Sequence, residues 1–387
     1  MISTAPKKIL LDIAKFFDDE RAAGHIRGPL HGIPVTVKDN ICTDVSLGMD
    51  TTCGSYALVG SVPQHNAPIV DHILKAGMIV IGKANLLAPA GSSSGSASGV
   101  AAGFAPLAIA TETDGSITQP ANRAALFGIK VTVGRASTEG TAPWSALTDS
   151  VGGQTVGFVD DIFWGFSEFV CIPDPVLITQ QREAYMDTKK KLIEHGTTLH
   201  ENVPMTSVDE LQLDGDDALD QLWNHDFAKA WEKFLKNFPS SSMKSIADIM
   251  KFNKLNAKFA LPAEHPGQQL LESALEDKMS EEKYAEGVSL ISESAKTNGI
   301  DKTIHQFGLD VVIESMDGRM PTVAAAAGYP VGTVPLGYSQ TDGRLFGLAI
   351  VAMANEEHKM LQFMTAWDEL TPSRLPPLQL MNWNCPK

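Results

Sequence analysis

One stretch constrains this chain more than any other: Ala90 to Thr118, reading AGSSSGSASGVAAGFAPLAIATETDGSIT. Gly/Ser-rich segments are usually flexible linkers. Three features set this one apart. The Gly/Ser run passes directly into Val100-Ala101-Ala102-Gly103, small residues suited to a tightly packed helix. Ala105 to Ala110 then reads as a short apolar strand. Thr113-Asp114-Gly115-Ser116 puts turn residues and a serine just beyond that strand. Such a turn can aim several backbone N–H groups at one point, as an oxyanion requires.

Around this stretch the pattern alternates between helix and strand. Lys7 to Ala23 carries Ile9, Leu10, Ile13, Phe16 and Phe17 near helical spacing, and Gly24 ends it. Ile33 to Val37 is a β-branched strand that runs into Lys38-Asp39-Asn40, with Pro34 marking an edge or a strand start. Ala67 to Ala76 reads as a helix closed by Gly77, and Met78 to Ile81 as the strand after it. This alternation predicts an α/β architecture. Phe158 to Phe166 reads as a helix and Glu168 to Ile172 as a strand. Between 180 and 306 the pattern becomes mostly helical, with helices expected at Arg182–His195, Leu219–Phe238, Met243–Phe252, Gln268–Leu275 and Glu281–Lys296. Trp223, Phe227, Trp231 and Phe234 share one face of the second of these, which reads as core packing, with a substrate wall as the alternative. Strands return at Leu309–Ile313, Val331–Val334 and Leu348–Val351, followed by a helix at Glu356–Leu370 and a Pro-rich coil at Pro372–Pro377.

Composition narrows the function. A hydrophobic share of 43% with 20% charged residues is that of a globular protein with a sizeable core. The net charge of −15 disfavours nucleic acid and anionic membrane surfaces as partners, because both need Lys/Arg footprints. Cys42, Cys53, Cys171 and Cys385 fit neither a zinc site nor a CxxC redox pair. The ten histidines show no pairing at metal-ligand spacing, and no P-loop or HExxH occurs. No metal and no organic cofactor is expected. The N-terminus lacks a signal-peptide h-region and no run of 18 apolar residues occurs, so the expected location is cytoplasmic.

Three motifs in order resemble the amidase signature family: GPLHGIPVTVKDN (Gly28 to Asn40), GSSSGSASGVAAG (Gly91 to Gly103) and TETDGSI (Thr111 to Ile117). The likeness continues through GIKVTVGRAS (Gly128 to Ser137) and returns in AGYPVGTVPLGY (Ala327 to Tyr338). The wording ETDGS is similar to the branch of bacterial peptide amidases and fungal amidases. The resemblance implies a mixed central β-sheet flanked by helices on both faces. It implies one domain over 1–387, in which 180–306 is a mainly helical, substrate-side region. It makes Ser116 the nucleophile, Ser92 a proton relay on a cis peptide bond, and Lys38 the terminal base. Ser-Lys variants of triad chemistry suit a chain whose motifs hold no His/Asp pair. The oxyanion would lie against the backbone N–H groups of Thr113, Asp114, Gly115 and Ser116. Ser93 is the rival relay, expected to support the loop, and Ser94 falls at a glycine of the broader family. His31 takes a structural role. Asp114 fits the branch, and equally a simple turn former.

Several positions depart from that family. Relatives carry a substantial segment between GKANL and GSSSGS, where this chain has only Leu87-Ala88-Pro89-Ala90. Gln119 and Asn122 replace the usual Cys and Ala, Val131 replaces a proline, and Gly152-Gly153-Gln154 stands where Gly-Pro is usual, with Gln154 bearing on the packing beneath the nucleophile loop. The function expected is hydrolysis of a carboxylic amide, on small-molecule or peptide substrates, through an acyl-enzyme. A homodimer is compatible with it. Two alternatives stand beside it: a catalytically impaired homologue acting as a binding or scaffold protein, and the glutaminase subunit of an amidotransferase.

Overall fold

A computed structural model describes residues 1–86, 91–135, 137, 154–159, 174–371 and 374. Its strands in chain order are β1 (Ser3–Thr4), β2 (Pro34–Lys38), β3 (Ile79–Ala84), β4 (Leu107–Ile109), β5 (Gly128–Lys130), β6 (Thr155–Val159), β7 (Thr198–Val203), β8 (Gln212–Leu213), β9 (Asp216–Asp217), β10 (Val311–Ser315), β11 (Val331–Tyr338) and β12 (Leu345–Val351). They form a four-stranded sheet in the order β1-β3-β2-β4, a six-stranded sheet in the order β5-β11-β12-β10-β6-β7, and a small β8-β9 ribbon. Both larger sheets are mixed. β2 runs parallel to β3 and to β4, while β1 is antiparallel to β3. β10 is parallel to β6 and antiparallel to β12.

Side-chain alternation shows that the six-stranded sheet is covered on both faces. Val312, Ala349 and Val351 pack with Val323 and Ala324 of the helix Met320–Ala327. Their neighbours Val311, Ile313, Leu348 and Ile350 point the other way. They meet Tyr185 of the helix Pro175–Glu194, and Met360, Phe363 and Trp367 of the helix Glu357–Leu370. A third cluster sits around the four-stranded sheet, where Val35, Val37 and Val80 pack with Val70 and Ile73 of the helix Pro68–Lys75 and with Phe234 and Phe238. This is the mixed, helix-flanked α/β class that the sequence implies, with the sheet hydrogen bonds divided into two pieces.

Several local readings need correction. Phe158 lies in β6, not in a helix. β6 has parallel partners on both sides and buries both faces, so it reads as a continuous apolar run without alternation. Val159 ends the same strand, while residues 160–166, Glu168–Ile172 and all of Pro372–Pro377 except Arg374 lie outside the described residues. β7, TLHENV, is an edge strand with exposed polar residues and gave no apolar signal. The region 180–306 is mainly helical, but it also contains β7, β8 and β9. The helix at Glu281–Ile291 continues as a π-helical stretch from Ser292 to Asp301.

The parallel trio positions the site. Lys38 is the last residue of β2. The Gly91–Ser93 turn follows β3, and the Thr111–Ser116 segment follows β4. Adjacent parallel strands present their carboxyl ends on one edge, where ligands of open α/β sheets bind. The small residues of the helix Ser94–Ala101 serve close packing: a Cβ on Gly95 would come within 2.5 Å of the Asn85 carbonyl oxygen.

Candidate active site

Lys38 is 1% exposed, and its Nζ lies 2.8 Å from Ser92 Oγ, 2.9 Å from Ser93 Oγ and 3.3 Å from the Thr111 carbonyl. No carboxylate pairs with it among the described residues. Burial pulls the ammonium down to about 7, while the charges of Glu112 and Cys53 act in the opposite direction. Asp39, next in sequence, faces away. Its carboxylate accepts from Thr52 N at 3.2 Å, Thr52 Oγ1 at 2.5 Å and Gly54 N at 3.1 Å. Successive residues at a strand end point to opposite sides, which keeps this charge off the lysine.

Ser93 is buried, accepts from Lys38 and donates to the Thr111 carbonyl at 3.0 Å. Ser92 is exposed. The peptide bonds of the described residues are all trans, so Ser92 does not sit on the cis bond that the resemblance implied. The turn is closed instead by Ser94, whose N and Oγ both bond the Gly91 carbonyl, at 3.2 and 2.6 Å.

Ser116 is joined to this turn through the backbone: Ser93 N donates to the Ser116 carbonyl at 3.0 Å. Among the described residues no hydrogen bond links Ser116 Oγ to Ser92 Oγ. Catalytic hydrogen bonds in ligand-free structures are often long and tighten only with substrate. The N–H groups of Thr113, Asp114, Gly115 and Ser116 also find no acceptor among the described residues. The next two are taken up: Ile117 N and Thr118 N donate to Glu112 Oε2 at 2.6 and 2.7 Å, and Thr118 Oγ1 adds a third bond at 3.1 Å. Glu112 is 1% exposed and lies at the base of the loop. Sequence reasoning noted Glu112 only as a mark of the branch. The signal that could have found its part is an acidic residue five and six positions before two loop N–H groups.

A cavity of about 440 Å³ opens beside Gly91, Asp114 and Gly115. Leu219 and Trp223 of the helix Ala218–Leu235 line it together with Arg319 and Pro321. Asp114 does more than form a turn. Its Oδ2 accepts from Thr322 Oγ1 at 2.8 Å, and burial pushes its carboxyl up to about 6. The aromatic face divides its duties: Trp223 lines the cavity and packs on one core cluster, while Trp231 and Phe234 pack in another. His31 is buried, with Nε2 3.0 Å from the Phe17 carbonyl. Gln154 bonds the Lys359 carbonyl at 2.5 Å. Among the described residues no group of three His, Cys, Asp or Glu side chains could hold a metal ion, and no helix is long and apolar enough to cross a membrane.

The Amidase family model matches residues 2–87 and 87–162. The two pieces meet at residue 87, inside the connection that is shortened relative to the family. Over these residues the chain matches the amidase family. Together with the relatives and solved structures that follow, the match supports an amide C–N hydrolase. A Schizosaccharomyces pombe relative assigned as an amidase is 29% identical over 468 positions, covering 95% of this chain and 79% of the relative. That alignment is longer than the 387-residue chain, so the relative carries residues with no counterpart here. The native peptide amidase of Stenotrophomonas maltophilia superposes with a TM-score of 0.82 at 26% identity, over 96% of this chain and 89% of that one. A glutamyl-tRNA(Gln) amidotransferase component from Symbiobacterium thermophilum is 40% identical over 192 residues, 43% of this chain and 38% of that one.

Proposed function

We propose that this amidase cleaves small-molecule or peptide amides through an acyl-enzyme on Ser116, with Ser92 relaying the proton to Lys38. The observation that carries the reading is the buried lysine: Nζ within 2.8 Å of Ser92 Oγ, with its pKa pulled to about 7. At neutral pH much of it is an uncharged amine, and an uncharged amine can accept a proton.

In the forward step Ser116 Oγ bonds to the amide carbon. Its proton moves to Ser92 Oγ as the Ser92 proton moves to Lys38 Nζ. The tetrahedral oxyanion takes bonds from the N–H groups of Thr113 to Ser116, which find no acceptor among the described residues. Loss of one such donor typically costs on the order of 10²–10³ in rate. Collapse breaks the C–N bond, and Lys38 returns its proton through Ser92 to the departing nitrogen. Water then attacks the ester by the same relay, releasing the acid and restoring Ser116.

The peptide amidase likeness spans nearly the whole of this chain. The likeness to the amidotransferase component covers less than half of either chain, which favours a free-standing hydrolase over a member of a larger assembly. In 180–306, Leu219 and Trp223 give the cavity an apolar wall, which suits an amide with an apolar group beside the scissile bond.

The deciding experiment is ammonia or amine release from aliphatic, aromatic and peptide amides, with Ser116→Ala alongside. Release by the wild type that vanishes in a folded variant supports the assignment. Equal release by both sinks it, and no release by either favours the impaired-homologue alternative.

A further inference from the structure

Beside the cavity a second group of charged and amide side chains gathers around one buried carboxylate. Asp317, in the turn after β10, has no exposed surface. Arg344 grips both of its oxygens, NH1 to Oδ1 at 3.2 Å and NH2 to Oδ2 at 3.0 Å. Gln181 Nε2 donates to Oδ2 at 3.1 Å, Asn122 Nδ2 to Oδ1 at 3.3 Å, and Arg123 NH2 stands 3.6 Å from Oδ1. Asn122 and Arg123 belong to the helix Thr118–Arg123, which begins two residues after Ser116. Its Gln119 adds a bond to the neighbouring Met316 carbonyl at 2.9 Å. Three side chains of the helix that carries the serine loop are thus pinned to the turn Met316–Asp317. That turn is fixed in place by Arg344, next to β12, and by Gln181, on the helix Pro175–Glu194.

A buried carboxylate held by a forked guanidinium gives geometric definition rather than large net stability. The same turn continues into Gly318 and Arg319, which line the cavity. We propose that Asp317 is a positioning residue for amide cleavage: it sets the orientation of the helix Thr118–Arg123, and through it the aim of Ser116 at the substrate carbonyl. The inference rests on Ser116 being the nucleophile. Gln119 and Asn122, which depart from the family pattern, are then the residues through which this chain fastens the loop to Asp317 and its turn.

The test compares wild type with Asp317→Asn, which keeps the volume and removes the charge, and with Asn122→Ala, which leaves the Arg344–Asp317 pair intact. Each is treated with a fluorophosphonate probe. The rate of Ser116 labelling is measured per folded molecule, next to kcat and KM for an amide that the wild type turns over. A loss of precise aim should lower the labelling rate and kcat of Asp317→Asn by about 10- to 100-fold with KM nearly unchanged. Asn122→Ala should fall in the same direction by a smaller factor, and it decides the matter if Asp317→Asn does not fold. Wild-type labelling rates in folded variants, or a change confined to KM, overturn the inference and leave Ser116 as the nucleophile. Absence of labelling in the wild type overturns the nucleophile assignment, and this inference with it.

Discussion

The sharpest prediction concerns Lys38 and pH. An exposed lysine with a pKa near 10.4 is uncharged in only about one molecule in 2,500 at pH 7. Burial brings Lys38 to about 7, so about half of it is uncharged there. The protein interior therefore raises the supply of free base by roughly a thousandfold at neutral pH. The sign follows: the protonated form is inactive. The kcat/KM for amide hydrolysis should be about a tenth of its plateau at pH 6, half at pH 7 and nine-tenths at pH 8. Asp114, pushed up to about 6, titrates in an overlapping window and lines the cavity. Asp114→Asn removes that contribution and should keep the rise through pH 7. Lys38→Arg keeps a cation but holds its proton throughout, and should lose on the order of 10²–10⁴ in rate at every pH. The assay is initial-rate ammonia release between pH 5.5 and 9 at constant ionic strength. A flat wild-type profile, or a Lys38→Arg variant that keeps a rise near pH 7, would refute the base assignment.

Three further outcomes follow from the same geometry. Lys38→Met should be inactive yet more stable in urea at pH 6: the folded pKa lies below the unfolded value, so the penalty is complete below pH 7 and fades toward pH 10.4, at most on the order of 5 kcal/mol. Lower stability than wild type at pH 6 would contradict it. Glu112→Ala leaves Ile117 N and Thr118 N without their acceptor, and should cost roughly 2–4 kcal/mol in denaturant titration together with most of the activity. Gly115 has φ +67, and a Cβ there would come 2.9 Å from Gln119 Cγ. Gly115→Ala should therefore destabilise by about 1–2 kcal/mol and slow acylation more than it changes KM, as single-turnover kinetics would show.

What the sequence disclosed, and what it hid, follows from where each signal resides. β2 was legible because Val35 and Val37 are β-branched and Pro34 opens the strand. That Asp39 need not touch Lys38 was legible from alternation, because neighbours in an extended chain point to opposite sides. β7 was not legible, since an edge strand with exposed Glu201 and Asn202 resembles a loop. The helix Met320–Ala327 escaped for the opposite reason. Its residues are almost all buried, so it has no polar face to give a helical period.

The candidate site separates in the same way. Lys38, Ser92 and Ser116 lie 54 and 24 residues apart in sequence, and no local propensity joins them. The motif resemblance paired them, and parallel strands β2, β3 and β4 give the physical reason that loops so distant meet on one edge. The supporting contacts were invisible because their partners come from remote and unremarkable sequence. Thr322 reaches Asp114 across 208 positions, and Asp317 reaches Asn122 across 195. An asparagine at 122 looks like a defect when only the family pattern is read. Opposite a buried aspartate that is also held by Arg344 and Gln181, it is one arm of a polar network in which, among the described residues, the buried Asn122 Oδ1 and Gln181 Oε1 accept no hydrogen bond. Such orphaned acceptors cost about 1–3 kcal/mol each. Two such acceptors beside the helix that follows Ser116 suit a carboxylate that serves geometry more than stability, which is why the labelling rate of Ser116, and not the melting temperature, is the quantity that should respond to Asp317.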